Sequence, residues 1–300
     1  MPDLIPAGIL NVDKPAGMSS RHVVDAVARA AGTGRVGHAG TLDPLASGVL
    51  VVCVGWTTRL VSQIQELKKS YRAQFRLGAT SDTDDVTGTV QEHPNAKLPP
   101  RATVEALLPR FTGRIAQVPP SHSAVHVDGR RAYELARRGK PVDLPPRHVE
   151  VHRLELIACE GSRLVLEIEC GSGTYVRALG RDLGRALGCG AVMSDLVRLA
   201  VGAFHQSEAI PPEAITSDTL QRLLLPPLAA VQHLPQYAAG EHDLAEARQG
   251  RRFTPDPLPE EIDGTLVALI DPAGSLVGLA EFDAGLRLLK PRQMYGLPGH

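Results

Sequence analysis

A loop built from glycines and a single carboxylate is the part of this sequence best suited to chemistry. Residues 37–48 read GHAGTLDPLASG and lead directly into the apolar run VLVVCV. Pro44 favours an extended conformation at Asp43, and the glycines permit the close approach of a ligand. A carboxylate presented in this way can act as a nucleophile. Taken alone, the Asp-Pro pair favours an ordinary turn, in which the aspartate caps the backbone.

Two groups of basic residues stand out in the sequence. Arg177, Arg181 and Arg185 recur at every fourth position, so they share one face of a helix. The segment RRAYELARRGK at 130–140 is followed by two further basic residues at 147–148. Such a cluster forms a positive patch of the kind that binds phosphates. A solvated helix face explains the cluster equally well.

The other polar groups give no clear sign of a metal site. Segment 81–88 reads SDTDDVTG, but Val86 and Thr87 stand where a calcium loop needs an acidic or amide residue and a glycine. We therefore expect a solvated turn there. The four cysteines lie far apart and form no C-x-x-C pair, which predicts reduced, mostly buried thiols and no metal bound through sulfur.

Periodicity around these residues predicts the elements that position them. Residues 19–32 combine a capping serine, apolar residues at helical spacing and a terminal glycine, which predicts a short helix before the Asp43 loop. The segment YRAQFRLGA alternates apolar and polar residues, which predicts a half-buried strand with Tyr71 on its apolar side. A second strand is predicted over 163–170, followed by a helix within 171–188 that carries the three arginines on one face.

Strands and helices mix irregularly, without repeated β-α-β units. The sequence therefore predicts an α+β fold on a mixed or antiparallel sheet rather than a doubly wound fold. Segment 223–240 is rich in proline and alanine, which indicates a domain boundary. Short predicted strands and turns follow it, so we expect a small β-barrel or sandwich. At 300 residues, the chain is long enough for about two domains.

Charge is divided unevenly along the chain. Residues 1–200 carry 25 Lys and Arg against 20 Asp and Glu, whereas residues 201–300 carry 7 against 13. The first two thirds can therefore attract a polyanion, although the whole chain has a net charge of −1. No apolar run reaches the roughly 18 residues of a membrane span, and the start lacks the basic flank of a signal peptide. We expect a cytoplasmic protein.

Four motifs together carry a resemblance to a known family. They read DKPAGMSS at 13–20, GHAGTLDPLASG at 37–48, KSYRAQFRLG at 69–78 and GSGTYVRALGRDLG at 171–184. In this order they resemble the bacterial tRNA pseudouridine synthase B family, which isomerises uridine-55 in the T loop of transfer RNA. The resemblance runs from about Gly8 to His205. It departs from the family at Ser70, where a basic residue is common.

The resemblance implies a pseudouridine-synthase-type fold over residues 1–235 and a small C-terminal β-barrel of the PUA type, binding RNA, over 240–300. The tail is similar to a PUA domain through VALIDPAGSLVGLAEFD and LKPRQM. Segment 121–149 resembles the RNA-gripping insertion of the family. Arg130 and Arg131 are therefore expected to bind RNA phosphates, contacts that position the substrate without reading its sequence.

The resemblance also implies catalytic roles for three residues. Asp43 matches the catalytic aspartate, which attacks C1′ or C6 of the uridine or assists through an eliminated glycal. Arg177 matches the active-site arginine, and its permanent charge would keep a buried carboxylate ionised. Tyr71 matches the active-site tyrosine. We expect its ring at the edge of a cleft, stacked on the flipped uracil, and its hydroxyl as a proton acceptor only secondly.

Three further residues match positions of the family motifs. His38 corresponds to the histidine that contacts the rearranged T loop, where an imidazole can stack or form a hydrogen bond. Lys14 is expected either to support the active-site loop or to contact an RNA phosphate. Tyr175 is expected to pack under the site.

Two other functions fit parts of the pattern. A non-catalytic RNA-binding or tRNA-folding protein would keep the scaffold and the basic surface. A glycoside hydrolase would need a second acid beside Asp43, and none accompanies it in its motif. The favoured interpretation is a transfer RNA pseudouridine synthase that acts as a monomer on the T arm. No cofactor and no metal are expected, because the isomerisation is redox-neutral.

Overall fold

The computed structural model describes residues 6–120, 126–127, 130–131, 144–256 and 263–295. The strands of these ranges are β1 Gly8–Lys14, β2 Val36–His38, β3 Ser47–Val54, β4 Lys69–Leu77, β5 Ala79–Ser81, β6 Val90–Glu92, β7 Gly113–Gln117, β8 His126–Val127, β9 Arg130–Arg131, β10 Arg147–Glu160, β11 Arg163–Cys170, β12 Ala191–Val201, β13 Phe204–His205, β14 Gln236–Ala238, β15 Leu266–Ile270, β16 Leu276–Asp283 and β17 Leu288–Met294. The α-helices are α1 Ser20–Ala31, α2 Val61–Glu66, α3 Arg101–Leu107, α4 Val176–Ala186, α5 Ser217–Leu223 and α6 Glu241–Arg248.

A mixed sheet of nine strands forms the centre of the larger part of the molecule. Its path runs β1-β3-β12-β4-β11-β10-β7, with β2 paired to β3 and β13 paired to β12. Strand β12 pairs in parallel with β3 and antiparallel with β4, so it joins the two halves of the sheet. The prediction of an α+β fold on a mixed or antiparallel sheet is confirmed.

The helix predicted before the Asp43 loop is α1. Its first turn is capped by Ser19, whose Oγ accepts a hydrogen bond from His22 N at 3.2 Å. Gly32 ends the helix with φ at 60°, a left-handed conformation that suits glycine. Val23 and Val27 are buried in a cluster with residues of β1 and β3. Caps and periodicity therefore account for both the extent and the orientation of this helix.

The two strands predicted from alternation are β4 and β11. In β4, Tyr71, Phe75 and Leu77 are buried, whereas Arg72 on the opposite face is exposed. Strand β11 covers the predicted segment and pairs antiparallel with β4, which places Ile168 opposite Tyr71. Strand β4 lies inside the sheet, because β11 and β12 pair with its two edges. Its apolar face is part of a large hydrophobic cluster.

Helix α4 packs its apolar face against the sheet. Its buried residues include Val176, Leu179 and Leu183 at helical spacing. Gly184 allows close contact with β12, because a Cβ at this position would lie 2.3 Å from the backbone nitrogen of Ala191. The packing fixes the first turn of α4 at the end of the sheet where the Asp43 loop also lies.

The C-terminal part forms a second sheet, in the order β14-β15-β16-β17. Strands β14 and β15 are parallel, and the other two pairs are antiparallel. Strand β14 lies within the predicted boundary segment 223–240, so part of that segment belongs to this sheet. Among the described strand pairings, none joins β14 to β17. The described sheet is therefore open, and the expected barrel is not seen in it.

The two sheets share a hydrophobic core. Tyr295, which follows β17, stacks on Trp56 with ring centroids 4.8 Å apart, and the guanidinium carbon of Arg59 lies 5.1 Å from the centroid of the Tyr295 ring. The same cluster contains buried residues of both sheets, among them Ile9, Val49, Val51, Ala268, Ile270 and Leu279. The C-terminal sheet is therefore packed onto the larger part rather than joined to it by a linker alone.

The helices are short, and the longest that the structure describes is α1 with 12 residues. Within the described ranges, none has the length and apolar character that crossing a bilayer requires.

Candidate active site

The loop of Asp43 joins β2 to β3, and neighbouring elements hold it by its backbone. Ser20, at the start of α1, donates through Oγ to Leu42 O and accepts from Leu42 N, both at 2.9 Å. Gly17 N donates to Pro44 O at 2.7 Å. The Asp43 side chain remains 36% exposed. The fold thus anchors the residues on either side of Asp43 and leaves its carboxylate open to a ligand.

Lys14 is fully buried beneath this loop. Its Nζ donates to the carbonyls of Pro15 at 3.0 Å, Met18 at 2.6 Å and Ala46. Of the two roles that the sequence leaves open, these contacts match support of the loop, since a buried ammonium cannot reach an RNA phosphate. Burial and the nearby Arg198 charge lower the pKa of Lys14 to about 8.

Arg177 lies in the first turn of α4 and faces Asp43. Its Nε is 3.0 Å from Asp43 Oδ2, and the Arg177 side chain is only 8% exposed. Nη1 donates to Thr83 O at 2.9 Å and lies 3.6 Å from Asp85 Oδ2. The structure therefore brings Asp43 and Arg177 together and adds a second carboxylate that sequence reasoning missed.

Segment 81–88 is a turn, as predicted, but it is only partly solvated: Asp82 and Thr87 are exposed, whereas Asp85 is buried. Asp85 is 4% exposed, and its Oδ1 accepts a hydrogen bond from Thr83 Oγ1 at 2.9 Å. Asp84 has φ at 61° and pairs with Arg181 of α4 across 2.8 Å. Asp84 and Asp85 are turned inward, where they pair with arginines of α4. The segment's own sequence gives no sign of this, since these partners come from a helix more than 90 positions further along the chain.

Burial and the neighbouring charges shift the pKa of Asp43 in opposite directions. Burial raises the pKa of the Asp43 carboxyl and is the largest influence, whereas Arg177 lowers the same pKa. Asp85 adds to the rise and Lys14 opposes it. The net shift is upward, so Arg177 limits the effect of burial without reversing it. An ionised Asp43 is therefore a stronger base than a free aspartate.

Tyr71 is more enclosed than the cleft-edge position expected from the sequence. The residue is 9% exposed and packs in one hydrophobic cluster with Leu42 and Ala46, which flank Asp43. Burial raises the pKa of the Tyr71 phenol, and Arg198 opposes this rise. The phenol therefore keeps its proton at neutral pH.

Arg198 of β12 is a further residue of this site that sequence reasoning missed. It is 2% exposed, and it donates from Nε to Val49 O at 2.6 Å and from Nη2 to Gly40 O at 3.0 Å. A signal was present in the sequence, because strand alternation places Arg198 on the same side as the buried Leu196 and Ala200. An arginine on the apolar side of a strand indicates a specific polar partner.

Two other predicted residues lie at the ends of elements around the site. His38 ends β2, and burial, then Arg198 and Arg21, lower its pKa, which favours the neutral imidazole. Among the described residues, the buried Nδ1 of His38 has no hydrogen-bond partner. Tyr175 precedes α4, and its backbone N and O bond to the side chain of Gln117 at 2.8 and 3.1 Å. This contact anchors the helix that carries the active-site arginine candidate.

The predicted RNA-binding arginines fall largely outside the described residues. Arg130 and Arg131 form β9, which pairs with β8, but their side chains are not described. Residues 121–125, 128–129 and 132–143 of the predicted insertion also lie outside the described part of the chain.

No metal site is visible in the described part of the chain, where no three His, Cys, Asp or Glu side chains are grouped to hold an ion. The cysteines are free thiols, as the sequence predicts: Cys53, Cys170 and Cys189 are buried, and Cys159 is half-buried.

Comparisons with known proteins agree over nearly the whole chain. A family model described as TruB family pseudouridylate synthase, N-terminal domain, matches residues 28–176, and a model of the tRNA pseudouridylate synthase B C-terminal domain matches 177–232. The tRNA pseudouridine synthase B of Synechococcus sp. (strain WH7803) is 39% identical over 302 residues, covering 98% of this chain and 99% of the relative. The protein of the same name from Xanthomonas campestris pv. campestris (strain B100) is 41% identical, covering 97% and 94%.

A solved structure shows the same fold. The archaeal box H/ACA sRNP Nop10-Cbf5 complex contains a chain that aligns with a TM-score of 0.73 at 23% identity, over 98% of this chain and 88% of the other. At this identity the likeness concerns the fold alone, and it supports the mixed α+β architecture described above.

Proposed function

The chain belongs to the TruB family of pseudouridylate synthases, and from this premise we propose that it isomerises a uridine of transfer RNA to pseudouridine. The proposed target is uridine-55 of the T loop. One observation of the site carries the proposal: Arg177 Nε lies 3.0 Å from Asp43 Oδ2, while the Asp43 side chain stays 36% exposed. A catalytic carboxylate must be both ionised and reachable, and this pair supports both conditions.

We propose Asp43 as the catalytic carboxylate. Pseudouridine formation breaks the bond between N1 and C1′, turns the uracil, and joins C5 to C1′; the hydrogen leaves C5 and N1 gains one. The carboxylate can attack C1′ and expel the uracil, add to C6, or remove a C2′ proton to give a glycal. Each route needs an ionised Asp43, and its raised pKa strengthens it as base and nucleophile.

Arg177 is the proposed partner that keeps Asp43 ionised and oriented. Its Nη1 is held by Thr83 O and approaches Asp85, so the guanidinium cannot turn away when the substrate enters. Loss of the arginine would leave the carboxylate without its counter-charge, at a cost that the exposure of the Asp43 side chain to water reduces.

The target base lies inside a folded loop and has to be flipped out, at a cost of a few kcal/mol. We propose that the Tyr71 ring forms a wall of the pocket that receives it. The Tyr71 hydroxyl is proposed to serve second, as a relay whose oxygen accepts the C5 proton while its own proton passes to water. The neutral imidazole of His38, on the strand that enters the Asp43 loop, is proposed to contact the rearranged T loop by stacking or hydrogen bonding.

RNA binding beyond the target nucleotide is assigned to two outer parts of the chain. Insertion 121–149, with Arg130 and Arg131, is proposed to grip phosphates from the catalytic domain of residues 1–235. Residues 240–300 are proposed as a PUA-like RNA-binding domain. The excess of basic residues over 1–200 supports a polyanionic partner. We further propose that the protein works as a cytoplasmic monomer without a cofactor.

The test uses the full chain and two transfer RNA transcripts, one with uridine and one with cytidine at position 55. Wild type is expected to form pseudouridine at that position in the first transcript only. Asp43→Asn, which is nearly isosteric, should bind the transcript equally well and form no product. Asp218→Asn, an exposed aspartate of α5, is the matched control and should retain full activity.

Two results would contradict the proposal in different ways. Product formed equally by Asp43→Asn and wild type would remove Asp43 from the mechanism. Tight binding without product in the wild type would instead favour the non-catalytic RNA-binding protein on the same scaffold.

A further inference from the structure

Strand β12 places Arg198 between the two elements that hold the proposed catalytic residues. In the parallel pairing with β3, Arg198 lies opposite Gly48, and in the antiparallel pairing with β4 it lies opposite Tyr71. Gly48 has φ at 96°, and a Cβ there would lie 2.3 Å from Arg198 O, so the strands meet closely at this point. One residue therefore borders both the end of the Asp43 loop and the proposed active-site tyrosine.

The guanidinium of Arg198 is held by hydrogen bonds on the side of the Asp43 loop. It donates to Val49 O in β3 and to Gly40 O, which lies on the same loop as Asp43. Across the pairing of β12 with β4, the guanidinium also acts on the Tyr71 phenol, where it opposes the rise in pKa that burial causes. Because the guanidinium is planar and its donors have fixed directions, the hydrogen bonds to Val49 O and Gly40 O fix its position beside the loop.

Filling space in the core does not explain an arginine at this position. The side chain is almost fully buried, and among the described residues it makes no ion pair with a carboxylate. Its charge also helps burial to lower the pKa values of Lys14 and Lys69, each to about 8. A buried charge without a counter-charge destabilises the folded state, and an apolar side chain of similar volume would avoid that cost.

We propose that Arg198 is a positioning residue, which holds the Tyr71 hydroxyl in place against the Asp43 loop and thereby sets the rate of the chemical step. The inference rests on the proposed function. The titratable groups that act on Tyr71 besides Arg198 are Cys170 and Asp43. Arg198 itself is 2% exposed, so we assign it no contact with RNA.

The first experiment measures the single-turnover rate of pseudouridine formation and the Kd for the transcript. Arg198→Met should lower the rate about 100-fold, the scale expected when catalytic groups are displaced by about 1 Å, with the Kd unchanged. Arg198→Lys keeps the charge but replaces the planar guanidinium with a single ammonium. Its rate should therefore lie between the rates of wild type and Arg198→Met. Arg72→Met, next to Tyr71 but on the exposed face of β4, is the matched control and should match wild type.

A double-mutant cycle with Tyr71→Phe separates positioning from a general loss of packing. If Arg198 acts through the phenol, Arg198→Met should cost much less in the Tyr71→Phe background than in the wild type. Equal costs in both backgrounds would overturn the inference, as would a wild-type rate for folded Arg198→Met. If Arg198→Met does not fold, the cost of Arg198→Lys is compared in the wild-type and Tyr71→Phe backgrounds instead, and equal costs would again overturn the inference.

A second measurement does not depend on activity. The chain has five tyrosines, so ¹³Cζ-tyrosine NMR can identify the Tyr71 signal by its absence in Tyr71→Phe. That signal and its titration should move in Arg198→Lys and stay unchanged in Arg72→Met; an unchanged signal in Arg198→Lys would overturn the inference. If the wild type forms no pseudouridine, the proposed function fails, whereas the NMR result still decides whether Arg198 positions Tyr71.

Discussion

Two carboxylates share one guanidinium at the proposed catalytic centre, and their burial separates their roles. Asp85 is buried and accepts hydrogen bonds from its own segment, so its position is fixed before any ligand binds. Asp43 lies closer to Arg177 and remains open to solvent on its other side. Asp85 therefore orients Arg177, while Asp43 is the carboxylate left available to react.

The pH dependence of the reaction rate should report the pKa of Asp43, which burial raises and Arg177 lowers. The ionised Asp43 is the active form, so the rate rises with pH through its pKa. Burial places that rise above the range of an ordinary aspartate, near 3.9. Arg177→Gln removes the strongest opposing influence, so the pKa climbs further and the rise should move to higher pH, with a lower plateau. The single-turnover rate measured across acidic pH checks this.

The companion test uses a substitution that should shift the pKa of Asp43 in the opposite direction. Asp85 raises the pKa of Asp43, so Asp85→Asn should move the acidic rise to lower pH. Arg185→Gln, at an exposed position of α4, should leave the profile where it is. If Arg177→Gln and Asp85→Asn both gave the wild-type profile, the rise would belong to another group.

At the scale of elements, close packing of α4 on β12 is what places Arg177. A methyl group at Gly184 would meet the backbone of Ala191 at 2.3 Å, and backbone cannot move aside as a flexible side chain can. Gly184→Ala should therefore lower the free energy of unfolding by about 1–3 kcal/mol, although alanine favours helix by about 1 kcal/mol. Urea denaturation followed by circular dichroism measures the difference.

The control for that variant is Gly34→Ala. Gly34 lies in the loop after α1, where an added Cβ meets no atom within 4 Å. Its stability should stay within about 0.5 kcal/mol of wild type, the usual range for exposed positions. Equal stability of Gly184→Ala and wild type would show that the helix can shift outward without cost.

Elements with local signals could be predicted from the sequence, and contacts between distant segments could not. The serine cap and terminal glycine of α1 and the alternation in β4 are each set by neighbouring residues. The burial of Asp85 depends instead on arginines of α4, and the parallel pairing of β12 with β3 depends on the whole topology. The Asp43–Arg177 contact was expected only through the family resemblance, because helix periodicity alone leaves Arg177 equivalent to Arg181 and Arg185.

At the scale of the whole molecule, the C-terminal sheet and the larger sheet are joined by a common apolar cluster. The boundary predicted from proline and alanine content separates two sheets, but one hydrophobic cluster spans it, while a second cluster, which includes Tyr237, Phe253 and Phe282, belongs to the C-terminal part alone. Tyr295, Trp56 and Arg59 form the centre of the contact, and Arg59 also donates to Met294 O at 3.0 Å. A cluster that both parts complete predicts that they unfold together.

The only tryptophan of the chain, Trp56, lies in this contact and reports on it directly. Its fluorescence and the circular dichroism of the whole chain should follow one coincident denaturation curve in the wild type. Tyr295→Ala removes the stacked ring and should destabilise the molecule by about 3 kcal/mol, the lower end for truncation of a buried aromatic side chain. Leu286→Ala, at an exposed turn of the same sheet, should change little. A fluorescence transition that precedes the loss of circular dichroism would mean that the C-terminal sheet undocks first and that the shared cluster does not couple the two parts.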